Sequence, residues 1–317
     1  MAEEKSIIVK TKEGVVEAIQ GTGDVTSALL DLVCGTLVKA LKGTKLVGAE
    51  AASLVKDTIV GSVRGIAEVG QEVSSAAKGV IMGVVTGTKE ITESTLETIG
   101  KSVSTLIHTT SEVGGDLAKT AKGAMEGAIV AAKELGVSVT EAITQASTSI
   151  IFGGKQVGRE LATTAKETVI GAAQAAKEVG EKAIETMSHT AGAVVKATAE
   201  LGGDVGSTVR GSMVGALQGA KEVGETALDA VIGTASSMIK STSQVGGDLA
   251  VTAKNAVEGA IEGAKVIGVD AAEAASAAAS SALKAAGDIS ADAGKQVRDA
   301  VTGTIGGVKV VIKEPFK

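Results

Sequence analysis

Few side chains in this sequence are of the types that commonly perform catalysis or bind metals. The two histidines, His108 and His189, are far apart, and Cys34 is the only cysteine, in a leucine-rich stretch without a catalytic partner. The segment GTGDVTSA, from Gly21 to Ala28, contains Gly-x-Gly but lacks the lysine of a phosphate-binding loop and a preceding strand. The sequence therefore predicts a protein that is not an enzyme, with no catalytic residue, no metal site and no cofactor.

The composition narrows the class of protein further. There is no Trp or Tyr, the only phenylalanines are Phe152 and Phe316, and the formal net charge is −6. A chain with almost no aromatic side chains and no basic excess is poorly suited to bind nucleic acid. The mean hydropathy of +0.30 is too high for a purely disordered polar chain. We expect Ala, Val, Ile, Leu and Thr to form the buried surface.

The ends and the apolar stretches predict where the protein resides. The start, MAEEKSIIV, has acids where a signal peptide needs bases, and the longest stretch without a charged residue, Ala142 to Gly154, has 13 residues. That length is too short to span a bilayer. We therefore expect no signal peptide and no transmembrane helix, and a location in the cytoplasm or at the periphery of a lipid surface.

An 11-residue repeat organises almost the whole chain. If the row positions are labelled a to k with Val113 at position a, positions a, b, e, f, h and i carry no Asp, Glu, Lys or Arg in any row from Gly14 to Val310. Closely similar segments recur every 44 residues, at Val113, Val157, Leu201 and Val245. We divide the chain into a lead-in (1–13), an undecad region of 44-residue super-repeats, seven in all counted from Glu3 (14–310), and a C-terminal stub (311–317).

The undecad period predicts α-helix. Eleven residues over three turns give about 3.67 residues per turn, and the six uncharged positions then form one continuous arc of the helix. A strand would need alternation with a period of two, which these positions lack. The sequence thus predicts an all-α protein, extended rather than globular, built from one nearly continuous, slightly right-handed amphipathic helix or a few long ones. Whether the Gly-Gly-Asp sites at Gly114, Gly202 and Gly246 are turns stays open.

Glycine pairs and charges mark the two edges of this arc. Small residues at positions d and h predict close approach of a second helix, as in GxxxG packing. We expect a small edge, a basic flank at position j and an acidic flank on the opposite side, so that parallel helices set basic against acidic residues. The small edge comprises Gly61, Gly65, Gly83, Gly87, Gly127, Gly171, Gly215, Gly219, Gly259, Gly263, Gly303 and Gly307. The basic flank comprises Lys78, Lys89, Lys122, Lys133, Lys166, Lys177, Arg210, Lys221, Lys254, Lys265, Arg298 and Lys309, and the acidic flank Glu72, Asp116, Glu160, Asp204, Asp248 and Asp292.

One hexamer resembles a known repeat family. KTKEGV, from Lys10 to Val15, is similar to the repeat of the synucleins, and the period is similar to that of perilipins, apolipoproteins and late-embryogenesis proteins. This resemblance implies amphipathic helices that lie on membranes or lipid droplets, or that fold on drying. The chain departs from the synuclein pattern because lysine lies on one flank only and the net charge is negative.

Three functions follow from these patterns. The first is a non-enzymatic structural protein that packs its helices side by side, in parallel with copies of itself, into a filament, tube or coat. The second is a reversible binder of membrane or lipid-droplet surfaces, and the third is a desiccation protectant. Itself and a lipid surface are the expected partners, and nucleic acid is not.

Overall fold

The computed structural model describes residues 6–21, 24–44, 49–70, 73–89, 94–158 and 160–312. Over these ranges the backbone forms fourteen α-helices and one two-stranded hairpin, so the all-α prediction is confirmed. The longest of these helices has 21 residues and the shortest has 11. The prediction of a nearly continuous, extended helix is therefore wrong, because the chain turns back on itself at short intervals.

The helices fall into two units that divide after residue 157. The first unit contains α1 (Ile7–Gln20), α2 (Val25–Thr44), α3 (Ala49–Val69), α4 (Val73–Thr88), α5 (Thr95–Glu112), α6 (Leu117–Glu134) and α7 (Val139–Gln156). The second contains α8 (Leu161–Val179), α9 (Ala183–Glu200), α10 (Val205–Val223), α11 (Ala227–Gln244), α12 (Leu249–Ile267), α13 (Ala271–Ile289) and α14 (Ala291–Val301), followed by β1 (Gly303–Ile305) and β2 (Val308–Val310).

Left-handed glycines end the helices from α5 to α12 at regular intervals of 22 residues. Positive φ angles occur at Gly114, Gly202 and Gly246, so the three Gly-Gly-Asp sites are turns. The same conformation recurs between them at Gly136, Gly158, Gly180 and Gly224. Glycine adopts this conformation without steric cost, and it lets the next amide groups bond back to the last carbonyls of the helix. Each turn and its helix together use two undecads, which keeps the repeat in phase.

Within each unit, alternate helices lie side by side and form a layer. In the second unit α8, α10 and α12 form one layer, and α9, α11 and α13 form the other. Neighbours in a layer are parallel, because Gly215 of α10 lies against Lys166 of α8 while Gly219, further along, lies against Ala173. The first unit repeats the arrangement, with α2, α4 and α6 in one layer and α1, α3, α5 and α7 in the other.

The charge-free arc supplies the core between the layers. In the second unit Val169, Met187, Met213, Met238 and Val257 have no exposed surface. The core is therefore built from aliphatic side chains, methionine and many alanines, as the composition indicates. The charge-free arc is thus covered by other helices of the same unit.

The hairpin closes the C-terminal end of the second unit. Strands β1 and β2 are antiparallel, and Ile305 and Val310 are buried with the core of that unit. The amide of Val311 donates to Ser276 Oγ of α13 at 3.1 Å. Among the described helices, none has both the length and the apolar character required to cross a membrane.

We expect the full chain to be helical in dilute, lipid-free buffer, because its own helices cover the apolar arc. Far-UV circular dichroism should show a predominantly helical spectrum that is independent of protein concentration. Phosphatidylserine vesicles should change the spectrum little. A coil spectrum that becomes helical only with vesicles, or only at high protein concentration, would contradict this fold.

Candidate functional site: the glycine edges and charged flanks

The small edges of α3, α4, α6, α10 and α12 each lie against the parallel helix before them. A Cβ added at Gly259 of α12 would lie 2.7 Å from the Arg210 carbonyl oxygen of α10, and one at Gly127 would lie 2.8 Å from the Lys78 carbonyl oxygen. Real Cβ atoms are not found that close to backbone. Glycine at these positions therefore sets the distance between neighbouring helices. Similar contacts are made by Gly61, Gly65, Gly83, Gly87, Gly215, Gly219 and Gly263, and Gly171 is buried in α8.

Sequence reasoning missed a third glycine, one helical turn before the pairs. A Cβ at Gly79 would lie 2.5 Å from the Thr26 carbonyl oxygen, and those at Gly123 and Gly211 would overlap the carbonyl oxygens of Ser74 and Ala162. The approaches at Gly123 and Gly211 are the tightest along the edge. The sequence pattern that marks them is Gly-x-x-x-Gly-x-x-x-Gly, as in Gly211, Gly215 and Gly219. The first glycine lies at position k, outside the d and h positions of the predicted small edge.

The last glycine pair is not on a helix. Gly303 and Gly307 lie in the hairpin with φ angles of 105° and 79°, a conformation that glycine adopts readily. The helical interpretation of these two residues is wrong, because α14 ends at Val301 and the chain then turns into β1. The undecad pattern continues here, but the glycines serve backbone conformation and not close packing.

The basic flank meets the small edge of the following helix. Lys78, Lys166 and Arg210 each contribute the carbonyl oxygen that faces a glycine of the next parallel helix. The side chain of Arg210 also reaches α12, where it donates to Asn255 Oδ1 at 3.0 Å and pairs with Glu258. Lys221 donates to the Ile267 carbonyl oxygen at 3.0 Å. Of the others, Lys122 is half-buried, whereas Lys89, Lys133, Lys177, Lys254, Lys265, Arg298 and Lys309 are exposed, the last of them in β2.

The acidic flank has a different role from the one expected. Asp116, Asp204 and Asp248 are N-caps, whose carboxylates accept hydrogen bonds from the first amides of α6, α10 and α12. Glu160 holds the same position before α8 without a side-chain cap bond, and Asp292 lies in the first turn of α14. Glu72 lies outside the described residues. These acids do not provide the partners of the basic flank, because the turns place them at helix starts.

Glutamates on the next parallel helix form the contacts that were expected of the acidic flank. Lys12 of α1 pairs with Glu68 of α3, and Gln174 of α8 donates to Glu222 of α10. Each of these contacts joins parallel neighbours and lies at the surface of its unit. Exposed pairs of this kind contribute at most about 1 kcal/mol each. They favour the correct register of the helices more than the stability of the fold.

Hydrogen bonding lowers the pKa of two capping carboxyls. Ser207 donates from its hydroxyl to Asp204 Oδ2 at 2.6 Å and from its amide to Oδ1 at 3.1 Å. These bonds favour the ionised form and lower the pKa of Asp204, and Ser27 lowers the pKa of Asp24 in the same way. A carboxylate at a helix N-terminus is also stabilised by the helix dipole.

The residues with reactive side chains are not brought together. His108 is exposed on α5, with its Nε2 atom 3.5 Å from Glu112 Oε1, whereas His189 is half-buried on α9. Burial and the nearby charge of Asp31 raise the pKa of the Cys34 thiol, which favours the less reactive protonated form. The segment from Gly21 to Ala28 leads into α2, and two of its residues lie outside the described ranges. Within the described ranges, no group of His, Cys, Asp and Glu is arranged to hold a metal ion.

Replacing Gly215 with alanine should destabilise the second unit, because the added methyl group overlaps the Lys166 carbonyl oxygen. We expect the free energy of unfolding to fall by about 1–3 kcal/mol, the usual cost of overpacking. Gly287→Ala in α13 is the matched control, since its methyl group would meet no atom within 4 Å. That variant should be as stable as the parent or up to about 1 kcal/mol more stable. Urea unfolding measures both, and equal effects would argue against glycine-limited packing.

Removing the N-cap of α10 with Asp204→Ala should cost about 1 kcal/mol at neutral pH. The folded-state pKa of Asp204 is lowered, so its contribution is complete above its ordinary pKa and disappears as the pH falls through the lowered value. Urea midpoints of parent and variant should therefore converge in acid. Glu160→Ala is the control, because Glu160 makes no side-chain cap bond, and it should change stability little at either pH. If the urea midpoints of Asp204→Ala and the parent still differed in strong acid, the result would contradict a role for the ionised carboxylate.

Comparison with known proteins assigns no family to this chain. No protein-family model matches the sequence, and no curated protein is significantly similar to it. A function is therefore proposed from the geometry of the packed helices.

Proposed function

We propose that this chain is a non-enzymatic structural protein built of helical repeats. It pairs with a second copy of itself through the exposed flank of α2 that contains Gly35. The observation that supports this proposal is the environment of Gly35. A Cβ at Gly35 would meet no atom within 4 Å, whereas its equivalents one and two super-repeats later, Gly79 and Gly123, press against the preceding helix. Among the described residues of the first unit, no helix covers this packing edge of α2.

The charges beside Gly35 favour a particular neighbour. Asp31 lies one turn before Gly35 and Lys39 one turn after it, and both side chains are exposed. If two copies of α2 cross antiparallel at Gly35, Asp31 of each copy lies beside Lys39 of the other. A two-fold interface of this kind uses the same patch on both subunits and is closed.

The apolar side chains of α2 have the same symmetry. Leu32 and Val38 are both half-buried and lie at equal distances along the helix on either side of Gly35. In the antiparallel pair, Leu32 of one copy would approach Val38 of the other and bury the remaining apolar surface. Around a two-fold axis at Gly35, this flank of α2 therefore combines close approach of two helix backbones, opposite charges and apolar contacts. A second copy of the chain fits these features better than a partner without that symmetry.

Lipid binding has weaker support from the geometry. Binding through the apolar arc would require the layers to open, since residues of the arc such as Val209 and Met213 are fully buried. The side chains that face outward include the charged residues of the flanks. Desiccation protection requires a chain that gains helix on drying, whereas the packed arc stabilises helix in solution.

Sedimentation equilibrium of the full chain should reveal a dimer, and Gly35→Leu should convert it to a monomer. The leucine would extend into open space in the free chain and block the crossing point in the pair, so stability should be unchanged or higher. Alanine at the same position is the milder control and should weaken the dimer less.

Charge reversal tests the two-fold symmetry directly. Asp31→Lys should dissociate the dimer, because the new ammonium group of one copy would face Lys39 of the other, and Lys39→Asp should dissociate it by bringing two carboxylates together. The double variant restores opposite charges across the axis and should dimerise again. A monomeric parent protein at high concentration, or a double variant no better than either single one, would overturn the proposal.

A further inference from the structure

The second unit contains a groove that the repeat does not predict. It lies between α11 and α13, has a volume of about 450 Å³, and is lined by Ser236, Ser237 and Lys240 on one side and Ser281, Lys284 and Asp288 on the other. This volume is within the range of small-molecule sites, about 300–1,000 Å³. The residues thus combine ammonium groups and hydroxyls in one concave surface.

Two substitutions within the repeat explain why the groove is open. Between α9 and α11, a Cβ at Gly192 would lie 2.5 Å from Ser237 Oγ and 2.6 Å from Ser241 Oγ, so these hydroxyls fill the space beside the glycine. One super-repeat later, Ser236 occupies the position equivalent to Gly192, and Ala285 occupies the position equivalent to Ser241. The larger residue keeps α11 and α13 apart, and the smaller one leaves the space unfilled.

The lysines of the groove favour an anion. Ser281 donates to the Ile232 carbonyl oxygen at 2.6 Å, which fixes its side chain at the rim between the two helices. Lys240 and Lys284 are exposed, one on each helix, and Asp288 follows Lys284 by one turn. Two ammonium groups and one carboxylate leave a net charge of +1. That balance suits one phosphate group better than a polyanion, and lysine contacts phosphate as a point charge.

The groove also has an apolar part. Ile232 is 47% exposed, one of the larger exposed fractions among the apolar side chains of the described residues. It lines the groove together with Ala285. A ligand that covered Ile232 would gain apolar burial in addition to the contacts of its anionic group. We propose that this groove binds a small organic phosphate monoester, with the phosphate between Lys240 and Lys284 and the organic part over Ile232.

Isothermal titration calorimetry with phenyl phosphate and with inorganic phosphate tests this proposal on the full chain at low salt. Phenyl phosphate should bind to one site and more tightly than inorganic phosphate, because only the ester covers Ile232. The double variant Lys240→Gln, Lys284→Gln should weaken phenyl phosphate binding at least tenfold. Absence of saturable binding, or equal affinity for the two probes, would overturn the proposal.

A second pair of variants separates the groove from surface charge. Ser236→Gly with Ala285→Ser restores the residues that close the α9–α11 contact and leaves both lysines in place. It should also weaken binding at least tenfold. Lys196→Gln is the matched control, since Lys196 precedes Lys240 by one super-repeat and lies 3.9 Å from Glu200 beside the closed contact. Circular dichroism checks that each variant is folded, and binding that survives closure of the groove, or that is lost in Lys196→Gln, would refute the site.

Discussion

Close approach of parallel helix backbones is the interaction on which this structure depends. Glycines at one edge of α3, α4, α6, α10 and α12 bring each of these helices against the carbonyl groups of its predecessor. A glycine in a helix interior costs about 1 kcal/mol of helix preference relative to alanine. The cost is offset because the short distance lets alanine and valine, which have little reach, form a close-packed core. A wider spacing would require larger side chains, and the sequence has almost no aromatic ones.

The same constraint accounts for the distribution of polar residues. The turns place Asp116, Asp204 and Asp248 at helix starts, where they satisfy amide groups. Glutamates one turn or more inside the helices, such as Glu258, lie beside the basic residues of the neighbour. Position within the helix, more than position around it, therefore decides whether an acid caps a helix or pairs with the neighbouring helix of the same layer.

Helix type and buried face followed from the sequence, but the lengths of the helices did not. The charge-free arc predicted helices and the residues of their core, because charge is excluded from a buried surface in any arrangement. The Gly-Gly-Asp sites, left open as turns, mark only three of the helix ends. The signal shared by all the helix ends from α5 to α12 is an aliphatic residue followed by glycine every 22 residues, as at Leu135-Gly136 and Val179-Gly180. Neither the hairpin at Gly303 nor the groove at Ser236 was predictable, because each depends on tertiary contacts of residues that keep the undecad pattern.

The glycine contacts have a direction along the chain, and this bears on synthesis. In the layer of α8, α10 and α12, each glycine edge faces a helix that left the ribosome earlier, within about 50 residues. The docking partner of a newly made helix has thus already been synthesised, and docking need not wait for distant segments. Contacts this local in sequence favour rapid folding and shorten the time that apolar surface is open to aggregation.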